Sequence, residues 1–170
     1  MLFRSAARKT NPKFRLDLTG LNLTGTDLKR ADLASTNLKG SDLSRSNLAG
    51  ANLREALLEG SGLERTTFAG ATLAGAKLAG ANLTGANLAG ADLAWVDLTA
   101  AKLVGAILSW SNLAGSNLAG AKLTGADFTG ANLAGADFIG AKLAGADFAG
   151  AKLNKWTKGL TAWQLGGITK

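Results

Sequence analysis

Apolar residues recur at every fifth position through most of the chain. Each fifth position from 18 to 153 is Leu or Phe, which gives 28 consecutive repeats without an insertion. The residue two places earlier is small in most repeats, with Ala in 17 cases and Ser or Thr in 8. The residue two places later is Gly in 19 repeats. One short unit therefore accounts for most of the sequence.

A period of five fits neither a helix nor a plain strand. Along an α-helix, positions five apart are rotated by about 140°, so the Leu residues would spiral around every face. In a straight strand, successive Leu residues would point to opposite sides. The pattern therefore needs one bend in each repeat, and Gly supplies it because turns with positive φ favour a residue without a Cβ. Each repeat is predicted to be a short extended piece with one small and one large residue facing inward, followed by a corner.

The repeats resemble a known family. Stretches such as ANLTGANLAGADLAW and AKLTGADFTGANLAG are similar to the pentapeptide repeat family, whose unit reads A-(D/N)-L-x-x, and the resemblance covers residues 16–155. It implies an all-β fold, a right-handed quadrilateral β-helix with four repeats in each coil and about seven coils. With coils about 4.8 Å apart, the rod would be about 34 Å long. Its predicted core includes the central residues of the middle repeats, Leu78, Leu83, Leu88, Leu93 and Leu98.

Both ends of such a rod need a cap because they expose unpaired backbone groups. The expected domain organisation is a basic N-terminal arm or cap over 1–15, the β-helix over 16–155 and a C-terminal cap over 156–170. Apolar residues of the arm are the candidate N-terminal cap: Leu2, Phe3 and Phe14. Three apolar residues at helical spacing predict a short C-terminal cap helix: Trp156, Leu160 and Trp163.

The composition removes most routes to catalysis. The chain has no Cys and no His, so it lacks thiolate ligands, disulfides and the usual general base. Its Asp residues repeat monotonously along the surface rather than forming an isolated pair with shifted pKa values. The Gly residues are explained by corners, and no GxxxxGK[ST] phosphate loop is present. The sequence predicts a protein that is not an enzyme and has no cofactor or metal.

Positive charge is concentrated at the two ends of the chain. The formal net charge is +7, yet the segment between the ends holds all 12 acidic residues against 10 basic ones. The arm contributes three candidate contact residues: Arg4, Arg8 and Lys9. No apolar run is long enough to span a membrane. A cytoplasmic location is expected, and the Arg-rich, acid-free N-terminus leaves organelle targeting as an alternative.

Three lysines at twenty-residue spacing should form a column in a four-sided coil: Lys102, Lys122 and Lys142. They are candidate contacts for an acidic partner. The alternative is a solvated stripe that neighbouring Asp residues neutralise. In the N-terminal half, Arg45 and Arg65 are expected to stack at one corner beside several Glu residues.

The regular pattern breaks most clearly between 94 and 110. Large residues replace a corner Gly at Trp95 and Trp110, Val96 replaces Ala, and Ile107 replaces Asp or Asn. Together with Val104 these residues are the hypothesised contact patch, since Trp is enriched at binding hot spots. The alternative is that each Trp folds flat over small neighbours and only covers the rod.

These features favour a structural or interaction protein, a rigid scaffold or linker that binds another macromolecule, either an acidic protein or a second copy. The resemblance offers an alternative, because some members of the family mimic a DNA duplex and shield gyrase, a type II topoisomerase, from inhibitors. That mechanism needs a strongly negative surface, which the charge of this chain disfavours. A pI near 10 suggests nucleic-acid binding, but the charge lies in the ends rather than along one face.

Overall fold

The computed structural model describes residues 15–161. Single-residue parallel β-bridges join each residue that precedes a central Leu or Phe to the residue twenty positions later. They run without a gap from Asp17–Asn37 to Asn132–Lys152, and no described residue is helical. Twenty residues are four pentapeptides, so each coil has four sides and four corners. The described chain is an all-β repeat solenoid.

The central apolar residues form one continuous core. All 24 central residues from Leu33 to Phe148 are buried, and the central Leu residues nearer the ends are partly buried. The predicted core residues Leu78, Leu83, Leu88, Leu93 and Leu98 are each at most 1% exposed. The prediction that every central residue faces inward is confirmed along the rod. Burying each such side chain contributes about 1.5–3 kcal/mol, before conformational entropy is counted.

The corners lie where the glycines predicted them. Glycine occupies 19 corners between 20 and 150, with φ between 60° and 72°. Eight corners there carry other residues, and these also have positive φ, between 54° and 60°. A side chain makes this left-handed backbone costly, by about 1–2 kcal/mol per residue. The coil geometry therefore overrides the intrinsic preference of these residues: Arg30, Ser35, Arg45, Glu55, Arg65, Trp95, Ala100 and Trp110.

Backbone hydrogen bonds connect each coil to the next. The amide of Leu88 donates to the carbonyl of Ile107 at 2.7 Å, and the corner amide of Gly90 donates to that of Ser109 at 2.9 Å. Within the corner, the amide of Ala91 donates to the carbonyl of Leu88 at 3.0 Å. The same pattern repeats from coil to coil, so buried backbone groups are paired without long strands.

Asp and Asn before the central residue serve the turn. In all 18 repeats that carry one of them, its Oδ1 accepts a hydrogen bond from the backbone amide two residues later. The bond from the amide of Thr99 to Asp97 is 3.0 Å long. Such local bonds explain why this position favours short polar side chains. The sequence prediction that these residues enter turn hydrogen bonds is confirmed.

The C-terminal end of the rod departs from the predicted cap. The helix expected from Trp156 is absent over 156–161, which form a turn and a last bridge, Asp137–Lys158, with a spacing of 21 residues. Side chains replace backbone groups at this one-residue insertion. Asn154 Oδ1 accepts from the amide of Gly135 at 2.9 Å, and Thr157 Oγ1 donates to the carbonyl of Leu133 at 2.9 Å. Polar side chains therefore finish the ladder that a helix was expected to cover.

The predicted apolar cap residues differ in burial. Leu160 packs partly buried against the core, as a cap residue should, whereas Trp156 is 63% exposed and points away from it. The prediction for Trp156 was therefore wrong, because the inserted residue rotates it out of the core column. Four predicted cap residues lie outside the described range: Leu2, Phe3, Phe14 and Trp163.

Leu88→Asp is expected to unfold the protein. An unpaired carboxylate in the dry core costs several kcal/mol, which is comparable to a typical total stability of about 5–15 kcal/mol. Ile107→Asp is the matched control, since it places the same residue at an exposed position where most repeats carry Asp or Asn. Circular dichroism during thermal unfolding compares them. An unchanged melting temperature for Leu88→Asp would contradict the inward register.

Two substitutions at one corner measure the free-energy cost of a side chain on its left-handed backbone. Ala100 and Gly80 occupy the same corner in successive coils, with φ of 56° and 67°, and a Cβ on Gly80 would meet nothing within 4 Å. Ala100→Gly should raise the free energy of unfolding by up to about 1 kcal/mol, because it removes left-handed strain. Gly80→Ala should lower it by about 1 kcal/mol. Urea unfolding measures both. A loss of stability for Ala100→Gly together with a gain for Gly80→Ala would contradict the corner assignment.

Candidate interaction surfaces

The four-sided coil sorts the surface into four faces. We name them from one coil: the first face contains 101–104, the second 106–109, the third 111–114 and the fourth 116–119, each with the residues stacked on it at multiples of twenty. Outward side chains lie before and after the central residue of each side. Corner residues separate the faces, so the candidate residues can be assigned to definite surfaces.

Trp95 and Trp110 lie at the two edges of the third face. They are 75% and 73% exposed. Each indole leans one coil forward and covers a corner glycine: a Cβ built on Gly115 would lie 2.6 Å from the Trp95 ring, and one on Gly130 would lie 2.6 Å from the Trp110 ring. The alternative interpretation of each Trp, a ring folded over a small neighbour, is therefore correct in geometry. Because both rings nevertheless remain largely exposed, they are also available for contact.

The hypothesised patch does not form a single surface. Val96 is 1% exposed and faces the core, so the prediction that it contacts a partner was wrong. Its position is the inward one two residues before a central Leu. Val104 and Ile107 are exposed, at 40% and 41%, but they lie on the first and second faces. Proximity in sequence misled the prediction, because each corner turns the next five residues onto another face.

The third face itself is flat and polar between its tryptophans. Asn112 Nδ2 donates to Asp92 Oδ1 at 3.0 Å, and Asn132 Nδ2 donates to Asn112 Oδ1 at 3.0 Å. The side chains that follow each central Leu here are Ala in four successive coils, at 74, 94, 114 and 134. Small side chains and a hydrogen-bonded ladder therefore hold this surface level between the indole-bearing edges.

Sequence reasoning missed a third exposed indole at this face. A Cβ built on Gly135 would lie 3.9 Å from Trp156 Cβ. Gly135 is one coil beyond Gly115, the glycine that Trp95 covers. Lys155 Nζ lies 4.9 Å from the centroid of the Trp156 ring, within the range of a cation–π contact. A helix was expected to turn this side chain inward. The cue in the sequence is the missing corner glycine in NKWTK, where the pentapeptide frame ends.

The predicted lysine column is present on the first face. β-Bridges join Lys102 to Lys122 and Lys122 to Lys142, and all three side chains are exposed. None of them forms an ion pair with a residue in the range 15–161. The Asp residues expected to neutralise them lie across corners, on the second and fourth faces. Like charges about 4.8 Å apart along the column favour an anionic neighbour.

The same face contains a groove in its N-terminal half, which sequence reasoning also missed. It has a volume of about 550 Å³ and lies around Gly62, where most repeats carry Asp or Asn. Glu64 folds across this gap: its Oε2 accepts from Ser44 Oγ at 2.7 Å, and its Oε1 accepts from Asn82 Nδ2. The carboxylate thus replaces the missing side chain. A glycine in the Asp or Asn position was the available signal.

Asp42 lies one coil from Gly62 and adds a second acid to the groove. The adjacent Ser44 hydroxyl, and then the hydrogen bond that the Ser44 amide donates to Oδ1 at 2.9 Å, lower the pKa of this carboxyl below its ordinary value. Asp42 is therefore ionised at neutral pH. Arg45 lines the rim of the groove at the adjacent corner, and Arg65 follows one coil later with its stem against Gly85. The predicted stacking of these two arginines at one corner is confirmed by their register.

Arg4, Arg8 and Lys9 lie outside the described residues. Within 15–161, no group of three or more His, Cys, Asp or Glu side chains is arranged to hold a metal ion. The same range contains no helix that is long and apolar enough to cross a membrane.

The uninterrupted coils define a solenoid repeat protein. A sequence model of pentapeptide repeats matches eight copies, over residues 15–50, 46–85, 68–103, 91–130 and 131–155. This chain therefore belongs to the pentapeptide repeat family. No curated protein matches it.

Solved structures agree with the fold. One similar structure is HetL, a pentapeptide repeat protein involved in heterocyst differentiation regulation in the cyanobacterium Nostoc sp. strain PCC 7120. It is 24% identical with a TM-score of 0.53, and the match covers 88% of this chain and 94% of HetL. A second Nostoc pentapeptide repeat protein is 30% identical with a TM-score of 0.53, over 58% of this chain and 84% of that one. These similarities support the β-helix.

Proposed function

We propose that this protein is a non-enzymatic scaffold, a rigid rod of seven coils that binds another protein through its third face. The observation that carries the proposal is the pair of exposed indoles at the edges of this face. Both are about three-quarters exposed although each occupies a corner that the fold would more easily fill with glycine. A stability requirement does not explain two bulky, strained, exposed residues, whereas a contact does.

The geometry of the third face suits a flat protein surface. The rings of Trp95 and Trp110 lie against glycine backbone on one side and leave the other side open. Between them the ladder of Asp92, Asn112 and Asn132 offers polar groups within a level surface. Interfaces commonly combine aromatic anchors with such satisfied polar surroundings. Trp156 extends the aromatic edge by one coil.

Charge favours an acidic partner. The chain has a net charge of +7, and the basic residues Arg4, Arg8 and Lys9 fall within six consecutive positions of the sequence. We propose that the N-terminal arm adds long-range attraction, while the tryptophans supply the short-range contact. DNA mimicry at a type II topoisomerase remains the less favoured function, because a protein that replaces DNA in a basic channel needs a negative surface. The net charge of +7 has the opposite sign.

The Trp95→Ala, Trp110→Ala double variant tests the third face. Removing two anchors is expected to cost about 2 kcal/mol or more in binding, about a thirtyfold loss of affinity. The variant should fold as stably as the parent, because the rings are exposed and alanine already occupies one left-handed corner. Immobilised parent and variant chains are compared for the proteins they retain from the native host, identified by mass spectrometry.

Arg45→Ala, Arg65→Ala is the matched control. It also removes two large side chains from left-handed corners, but at the edge between the first and second faces. The proposal requires that the control retains the same proteins as the parent and that the tryptophan variant loses them. Equal retention by all three chains would show that the indoles only cover the rod.

A further inference from the structure

The first face carries opposite charges on its two halves. Its N-terminal half contains the carboxylates of Asp42 and Glu64 around the groove at Gly62. Its C-terminal half contains the three exposed lysines of one column: Lys102, Lys122 and Lys142. Because its two halves carry opposite charges, the first face of one copy is electrostatically complementary to that of a second copy that runs in the opposite direction.

The bridges fix the register of these charges. Gly62 pairs with Asn82, and Asn82 pairs with Lys102, so Asn82 lies midway between the groove at Gly62 and the first lysine of the column. One coil further out on each side, Asp42 pairs with Gly62, and Lys122 pairs with Lys102. The acidic groups and the lysines are therefore equally spaced about Asn82, along one straight column.

We propose that two copies of this chain pair through their first faces in antiparallel orientation, across a two-fold axis at Asn82. In this arrangement Lys102 enters the groove over Gly62 of the second copy, beside the Glu64 carboxylate of that copy. Lys122 lies opposite Asp42 of the second copy. The symmetry repeats both contacts, which gives four ion pairs. A parallel arrangement would place the lysine columns against one another, so the charges select the antiparallel one.

The groove provides room for the incoming lysine. Because position 62 has no side chain, Glu64 reaches across it and presents its carboxylate in the middle of the face, held by Ser44 and Asn82. A Cβ at Gly62 would lie 3.1 Å from Asp42 Oδ1, so both acids border the same gap. An exposed ammonium group entering this gap gains two nearby carboxylates.

The arginines at the rim do not oppose this pairing. Arg45 and Arg65 lie at the corner rather than in the central column, and Arg65 leans away along its own corner toward Gly85. In the antiparallel register the corner residues opposite them are Gly125 and Gly105 of the second copy, which carry no side chain. The guanidinium groups therefore remain in solvent at the edge.

The size of the face predicts a weak dimer that depends on salt. Four residues between corners span at most about 13 Å, and seven coils span about 34 Å. The resulting area of about 440 Å² per copy is below the roughly 800 Å² of a standard stable interface. Electrostatic attraction must therefore supply much of the association, which screening by salt weakens.

Two charge-reversal variants of the first face test the proposed dimer. Lys102→Glu, Lys122→Glu makes the face acidic on both halves, and Asp42→Lys, Glu64→Lys makes it basic on both halves. Each variant alone should associate at least about tenfold more weakly than the parent, because like charges then face each other. An equimolar mixture of the two should form one-to-one dimers with about the affinity of the parent, since all four contacts are attractive again.

Sedimentation velocity over a range of concentrations measures these equilibria for the full chain. The parent is compared at about 0.01 M and about 1 M ionic strength, where the Debye length falls from about 30 Å to about 3 Å. The control variant, Lys29→Glu with Lys77→Glu, makes the same charge change at exposed positions on the second and fourth faces and should associate like the parent. Circular dichroism checks the fold of each variant.

Asp42→Asn with Glu64→Gln provides a second route if the double lysine variant fails to fold. It keeps hydrogen-bonding oxygens at both positions and should also weaken association and remove most of its salt dependence. A parent that stays monomeric at low salt, or a mixture of reversed variants that stays monomeric, overturns the proposal. These variants leave the third face intact, so their outcome is independent of the proposed scaffold function and of its tryptophans.

Discussion

The structure depends on one backbone constraint, a left-handed residue at every fifth position. That residue turns the chain by one corner, and four corners return it to the same column one coil later. The cost of the conformation is small for glycine, which explains its frequency. Where another residue occupies the corner, core burial and the backbone ladder on both sides enforce the same φ. The corner therefore determines the pairing of residues twenty apart, and through it every other contact.

Strict repetition separates stability from function in this molecule. The inward residues are nearly uniform. Every Asp or Asn that precedes a central residue accepts the same turn hydrogen bond, from the amide two residues later. What distinguishes one coil from another is the set of outward and corner residues that depart from the pattern. Trp95 and Trp110 change the edges of the third face, and Gly62 with the lysine column changes the first. Because the columns are straight, a few exceptions produce extended surfaces rather than isolated points.

Sequence reasoning predicted the inward register and the corners because both depend on local rules, the alternation of strand side chains and the tolerance of glycine for positive φ. It predicted the lysine column once the resemblance supplied four repeats per coil. It failed at Val96 and at the patch with Val104 and Ile107, where neighbours in sequence are divided between faces. It also failed at Trp156, because one inserted residue shifts the frame. The hydrogen bonds of Glu64 join neighbouring coils, so the glycine at position 62 is their one mark in the sequence.

A high-resolution crystal structure that measures φ at the eight non-glycine corners tests the central claim most directly. These positions have no intrinsic preference for the left-handed region, so their conformation reports the coil itself. We predict positive φ at all eight, from Arg30 to Trp110, with β-bridges joining residues twenty apart throughout the rod. Negative φ at Trp95 or Trp110, accompanied by a shift in the pairing of the following coil, would contradict it.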